Sequence, residues 1–190
     1  TSRLVGSEMC IRDRINEEFA MNQAQPNARE ALETAKEMLR NFRERIMLPE
    51  DMAIEVNNSR EQISLRDLPT KYPIYDVGLN TLRTLRPIIM GASCVLWNGP
   101  ASYFEKQNFA FGTIEVLNMC TETTAMTIIG GGHTSALVEA RGAVGKVTHN
   151  STGGGATLTM LSDGKMPVIR SLIESYGTSQ STLSGKGLLS

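Results

Sequence analysis

The sequence predicts an α/β fold in which helices cover both faces of a parallel sheet, and three observations carry that expectation. Short apolar or β-branched runs alternate with segments of helical period through brief connections. One run, Cys94-Val-Leu-Trp97, is apolar throughout, as a strand covered on both faces should be. The stretch from Met126 to Met160 then repeats one unit, a β-branched run followed by three glycines and a helix-competent segment: T-I-I-G-G-G-H-T-S-A, then T-H-N-S-T-G-G-G-A-T-L-T-M. Together these predict a three-layer, Rossmann-like arrangement.

Composition narrows the function. With 190 residues, 41% hydrophobic and 21% charged, the chain can build one domain with a real core. A formal net charge of −1 leaves no global field for nucleic acid or a membrane surface. Aromatic residues are only 5% and are not interleaved with Arg or Lys, as a base-stacking surface would require. Cys10, Cys94 and Cys120 are odd in number and lack CxxC spacing, so neither a disulfide framework nor a zinc site is expected. A reducing, cytoplasmic setting follows as the expectation. No apolar run reaches the ~18 residues of a membrane span.

Taken in order, Thr1 to Arg14 shows no helical or strand period and no long apolar stretch, and is expected to be a non-native or disordered leader outside the fold. Asn27 to Ile46 reads as a helix, with Ala28, Ala31, Leu32, Ala35, Met38, Leu39 and Phe42 on one stripe. Asn27 with Glu30 reads as its capping box, and the stripe is expected to cover a sheet. Ile46–Leu48 and Met52–Val56 read as strands, and Asn57–Thr70 as a loop or edge excursion. A strand over Pro73–Gly78 and a helix over Asn80–Met90 follow, the latter limited by Pro87. The apolar strand at Cys94 stops at Asn98-Gly99-Pro100, a turn signal. The series ends with a helix over Phe104–Met119, a strand over Met126–Ile129, a helix over Thr134–Ala140, a strand over Lys146–His149 and a helix over Ala156–Leu161. Gly177 to Ser190, rich in Ser, Thr and Gly, is expected to be a flexible tail.

In parallel α/β sheets ligands bind beyond the carboxyl ends of the strands, and DVGLNT, WNGP, GGGH and STGGG are all expected at that edge. Each motif has two readings. Gly130, Gly131 and Gly132 either make a tight turn or present bare N–H groups to phosphate at a helix start. His133 either caps that helix or reaches a phosphate oxygen. Gly153, Gly154 and Gly155 either form a hinge or meet the charge that develops in phosphoryl transfer. Ser151 and Thr152 could bond phosphate or cap the helix, and His149 could simply end a strand. Asn98 could contact a nucleotide or form an Asx turn, and Glu105 could accept from ribose hydroxyls or stabilise a helix dipole. Neither GxxxxGK[ST] nor GxGxxG is present. The residues alone therefore lead to an α/β domain for a phosphorylated ligand, a nucleotide above others.

The ordered set D-V-G-x-x-T (Asp76–Thr81), V-L-W-N-G-P-x-x-x-F-E (Val95–Glu105), F-G-T (Phe111–Thr113), I-I-G-G-G-H (Ile128–His133) and H-N-S-T-G-G-G-A (His149–Ala156) resembles the C-terminal, nucleotide-binding domain of phosphoglycerate kinases. The resemblance runs from about Ile15 to Leu172 and assigns residues 15–176 to part of that domain. It implies phosphoryl transfer between 1,3-bisphosphoglycerate and ADP, with ATP/ADP and Mg2+ as cofactors. Asn98 and Glu105 match nucleotide-contacting positions, Glu105 at the ribose, and Gly130–His133 match the nucleotide phosphate loop. Gly153–Gly155 match the loop that holds the transferring phosphoryl group, and His149, Ser151 and Thr152 the segment involved in domain closure. At His133 many members carry an aspartate, so the metal ligands stay unassigned; histidine there is similar to the archaeal branch. Ala101-Ser-Tyr103 also departs from the family's smaller residues.

Nothing in the chain matches the family's N-terminal domain, which binds 3-phosphoglycerate, nor the first, lysine-bearing part of the C-terminal domain. The resemblance thus implies an incomplete sheet and a fragment inactive by itself. The alternative is an isolated nucleotide-binding module without catalytic activity, and a third is another α/β sugar- or nucleotide-phosphate protein with similar loops.

Overall fold

The structure is a computed structural model that describes residues 28–176 except 69, 163, 165, 167 and 168. The expectations for Thr1–Arg14, Asn27 and Gly177–Ser190 lie outside the described residues. The chain is α/β, and its strands form two sheets rather than one.

Helix α1 (Ala28–Phe42) gives way to a 3-10 turn at Arg43–Arg45, short of the Ile46 expected from the sequence. Its stripe is not the predicted sheet cover, because Met38 and Phe42 remain exposed. The expected strand at Ile46–Leu48 does not form; Ile46 and Met47 are buried in irregular backbone instead.

The first sheet is antiparallel, with β1 (Asp51–Val56) between β2 (Ser59–Ser64) and β3 (Ile74–Val77). The β1–β2 hairpin closes through Asn57 and Asn58, both at positive φ (50° and 62°), with Val56 opposite Ser59. Two left-handed residues are what a two-residue hairpin turn demands, and asparagine tolerates them. Of the two readings of Asn57–Thr70, loop or edge excursion, β2 makes it the second, a strand at the sheet's edge. Its residues, Ser-Arg-Glu-Gln-Ile-Ser, are largely polar because β2 is an edge strand, so no apolar alternation announces it. Asp76 and Val77 lie at the end of β3 and Gly78 is the N-cap of α2, so the D-V-G segment belongs with this sheet, not with the parallel sheet's carboxyl edge.

The second sheet is parallel, in the order β4 (Cys94–Asn98), β5 (Met126–Gly130), β6 (His149–Ser151). Helices α2 (Leu79–Met90), α3 (Phe111–Glu122), α4 (Gly132–Ala140) and α5 (Gly154–Leu161) complete the alternation. β6 begins where the sequence places a strand's end, because Val144–Lys146 is a 3-10 turn. Likewise α3 starts after a 3-10 turn at Gln107–Phe109 rather than at Phe104. Val77, Leu82, Trp97, Leu117, Ile129 and Val138 share one core between the helices and the parallel strands. On the strands' other face Cys94, Leu96 and Met126 are exposed, so the two-sided covering predicted for this sheet is only partly present.

Two buried aspartates join the sheets to the helices. Asp51 on β1 accepts from the backbone N–H groups of Asn80 (3.0 Å) and Thr81 (2.8 Å), capping α2 from a distant strand. Thr81 Oγ1 (2.8 Å) and Gln62 Nε2 (2.7 Å) complete its shell. Gly78 must lack a side chain here, since a Cβ would stand 2.1 Å from Asp51 Cγ. Asp76 on β3 likewise receives the Gly112 N–H at 3.1 Å on each carboxylate oxygen, capping α3, and Arg60 approaches it at 3.4 Å.

Burial dominates Asp76 and pushes its pKa from 3.8 up to about 6, against the pull of the Gly112 N–H and the Arg60 guanidinium. The folded state thus keeps a proton that the unfolded state has lost. This contribution to stability is complete below pH 3.8 and is lost as pH rises through about 6. Urea unfolding between pH 3.5 and 7 should show wild type losing roughly 3 kcal/mol relative to Asp76→Asn over that window. Parallel pH dependences for the two proteins would refute the assignment.

Candidate functional site

The parallel ladder ends with Asn98, Gly130 and Ser151 side by side: Asn98 pairs with Gly130, and Gly130 with Ser151. Three residues singled out from the sequence are therefore neighbours across one sheet edge. Each is followed by a turn that reverses into the next element. Gly99 (φ 91°) and Gly131 (φ 98°) adopt the left-handed backbone that these turns require. The Gly99 N–H donates to Gly130 O at 3.4 Å, tying the first turn to the second.

The glycines separate into two groups by what surrounds them. A Cβ on Gly154 would meet Asn98 Oδ1 at 2.4 Å, Gly131 N at 2.5 Å and Gly131 Cα at 2.7 Å. One on Gly130 would meet Asn98 Oδ1 at 2.7 Å. These positions are glycine because the starts of α4 and α5 pack backbone to backbone with the Asn98 side-chain oxygen beside them. Gly132 and Gly155 have nothing within 4 Å of an added Cβ, and the chain supplies no packing reason for either. Gly153 meets only Ser151 Oγ and Ala156 Cβ, both at 3.7 Å.

Both helix starts also lack an internal cap. Gly131 is the N-cap of α4 and Gly153 that of α5, and neither can offer a side-chain acceptor to the first-turn N–H groups. The contrast with α2 and α3, each capped by a buried carboxylate, is direct. Uncapped N–H groups and the positive ends of two helix dipoles converge at one sheet edge, an arrangement suited to an anion.

The remaining candidates surround this point. Ser151 Oγ accepts from the N–H of Gly153, the residue before the first turn of α5, at 3.2 Å and lies 3.3 Å from Thr157 Oγ1, a local turn bond that leaves the first-turn N–H groups uncapped. Thr152, His149 and His133 are exposed, His133 in the first turn of α4. Glu105 is exposed on the connection between β4 and α3, with no hydrogen bond or ion pair to the described residues. That connection is anchored on either side of it. The Tyr103 N–H donates to Tyr75 O at 2.7 Å, and Lys106 pairs with Glu55. Sequence reasoning missed the buried Thr134 and Ser135, which carry the first turn of α4 beneath the glycines. Their small polar side chains carry no signal in a helix-competent segment. No group of three or more His, Cys, Asp or Glu among the described residues could hold a metal ion.

A parallel α/β sheet with glycine turns and open helix N-termini at its carboxyl edge defines an α/β protein of Rossmann-like class, with an edge suited to phosphate. Comparison with known proteins names the family. The family profile described as phosphoglycerate kinase matches residues 8–165. The phosphoglycerate kinase of Methanobacterium bryantii is 36% identical over 159 residues, which is 84% of this chain and 38% of that protein. That of Pyrococcus abyssi is 40% identical over 151 residues, 77% of this chain and 37% of that protein. The crystal structure of the Pyrococcus horikoshii enzyme superposes with a TM-score of 0.75 at 35% identity, covering 84% of this chain and 40% of that one. The Coxiella burnetii structure gives 0.67 at 26% identity, covering 82% and 44%. The chain belongs to the phosphoglycerate kinase family, and it spans somewhat over a third of the length of the curated relatives it matches.

The two groups of glycines should respond oppositely to a methyl group. Gly154→Ala is expected to lose about 3 kcal/mol or more of unfolding free energy through backbone clash. Gly132→Ala should be neutral or gain up to ~1 kcal/mol. Urea titration of both variants checks this, and equal losses would contradict the division.

Proposed function

We propose that the chain is the nucleotide-binding part of a phosphoglycerate kinase and acts in the transfer of a phosphoryl group between 1,3-bisphosphoglycerate and ADP. The carrying observation is the pair of uncapped, glycine-led helix starts brought into contact at the ladder line Asn98–Gly130–Ser151. In this reading Gly130–His133 hold the nucleotide phosphates, Asn98 and Glu105 hold the nucleoside with Glu105 at the ribose, and Gly153–Gly155 meet the transferring group. His149, Ser151 and Thr152 belong to the segment that responds to closure of the second domain.

The chemistry fits a site made of N–H donors. An oxygen of the ADP β-phosphate attacks the phosphorus of the acyl phosphate, and the bond from phosphorus to the carboxyl oxygen breaks. A carboxylate leaves, giving ATP and 3-phosphoglycerate. The nucleophile is already an anion and the leaving group needs no proton, so no general base is required. What remains for the protein is alignment and stabilisation of charge on the transferring oxygens. Backbone N–H groups at Gly153–Gly155 supply such stabilisation without a titratable group. Magnesium would enter with the nucleotide phosphates, because the described side chains offer no carboxylate cluster for it and His133 is a poor partner for so hard a cation.

The binding of 3-phosphoglycerate belongs, on this proposal, to the N-terminal domain that longer members of the family carry. The setting would be the cytoplasm; no helix among the described residues is long and apolar enough to cross a membrane. A coupled assay of ATP-dependent 3-phosphoglycerate phosphorylation should find no turnover from the 190 residues alone and turnover from a full-length protein that also carries the N-terminal domain and the first part of the C-terminal domain. Turnover from neither form would refute the enzyme reading. For the ribose role, Glu105→Ala in the full-length protein should weaken MgADP about tenfold by calorimetry, ~1.4 kcal/mol. Unchanged affinity would remove Glu105 from the site.

A further inference from the structure

The strand β6 is only His149–Ser151, yet it holds the starts of both neighbouring helices. Alternation along a strand turns Asn150 to the side opposite His149 and Ser151. Asn150 Nδ2 donates to the backbone carbonyl of Ser135, in the first turn of α4, at 3.4 Å. The Ser135 N–H in turn donates to Gly131 O at 2.8 Å, within the glycine turn. The next residue, Ser151, faces α5, with its Oγ accepting the Gly153 N–H at 3.2 Å. Consecutive residues of one short strand therefore hold the two glycine turns, one each.

The polar character of this junction is costly. Asn150 Oδ1, Ser135 Oγ and Thr134 Oγ1 are all buried without a hydrogen-bond partner among the described residues. Asparagine is also disfavoured in strands, where a β-branched apolar residue would pack against α4 with no unpaired polar atom. Neither packing nor propensity accounts for Asn150, but its bond to α4 does.

We propose that Asn150 is a positioning residue that locks the first turn of α4 to β6, so that the two glycine turns open and close as one unit. It rests on the reading above only in taking one ligand to engage both turns. The test is amide hydrogen exchange by NMR on wild type and Asn150→Val, with and without MgADP as the probe. Without ligand, the Ser135 and Thr157 amides, one in the first turn of each helix, should both exchange at least about tenfold faster in the variant, while Ile54 on β1 keeps its wild-type rate. Acceleration at Ser135 alone, or in proportion at every amide, overturns the proposal. Asn150→Asp, which keeps the shape and removes the donor, takes its place if the Val variant does not fold. Protection by MgADP at both turns in wild type but at only one in the variant supports the coupling, and equal protection in both proteins overturns it. Protection at neither turn in wild type refutes the nucleotide reading and leaves the ligand-free comparison to decide the role of Asn150.

Discussion

Gly154 lying against the backbone of Gly131 is the contact on which the site depends. A side chain at Gly154 would stand 2.5 Å from Gly131 N and 2.4 Å from Asn98 Oδ1, so the two helices can start together only if this position is bare. The approach fixes where both helix starts meet and sets the Asn98 Oδ1 against Gly130 and Gly154. It also explains why glycine, with its entropic cost of ~0.5–1 kcal/mol per position in regular structure, is tolerated here. The parallel ladder supplies the other half of the constraint. With Asn98, Gly130 and Ser151 in line, the turns that follow leave the sheet at one level and converge.

How the chain distributes negative charge among its helix starts separates structure from function. α2 and α3 receive carboxylates from the antiparallel sheet, Asp51 and Asp76, both buried and bonded to first-turn N–H groups. Those ends are closed. α4 and α5 begin at glycines and receive none. The small antiparallel sheet is thus more than a lid on one end of the core, because it supplies the anions that two helices need. It also anchors the connection bearing Glu105, through Tyr75 to Tyr103 and Glu55 to Lys106. The helices without an internal anion sit at the carboxyl edge of the parallel sheet, where a ligand's phosphates can take that place.

The legibility of these features in the sequence follows the range of the interactions behind them. The glycine turns, the strands β4 and β5 and the helices after them were readable because local rules govern them: apolar runs, glycine after β-branched residues, and turn signals at Asn98-Gly99-Pro100. The hairpin at Asn57-Asn58 was missed because β2 is polar and its turn uses asparagine where glycine is the stronger cue. The division into two sheets was invisible, since a strand's sequence carries no label for its partner. Asp51 was equally hidden: its bonds to Asn80 and Thr81 span 29 and 30 residues, and nothing near Asp51 announces a cap. At the site, the meeting of the WNGP, GGGH and STGGG turns at one sheet edge was legible, and the packing among their glycines was not. Gly130 and Gly132 look alike in sequence, but one is bare because Asn98 occupies the space and the other faces open surroundings.

The charge at the glycine turns is itself incomplete. Each helix start contributes the equivalent of about half a positive charge, and the residues that meet there, Asn98, Gly99, Gly130, Gly131, Ser151 and Gly154, include no lysine or arginine. A nucleotide polyphosphate in phosphoryl transfer carries several negative charges, more than two dipole ends can offset. The turns are therefore suited to orienting and grasping phosphate oxygens, with the greater part of the neutralising charge brought from elsewhere. The exposed Cys94, Leu96 and Met126 on the open face of the parallel strands point the same way, since a parallel sheet is ordinarily covered on both faces. The shortage of positive charge at the turns and the open face of β4 and β5 are both left unmet by the described residues.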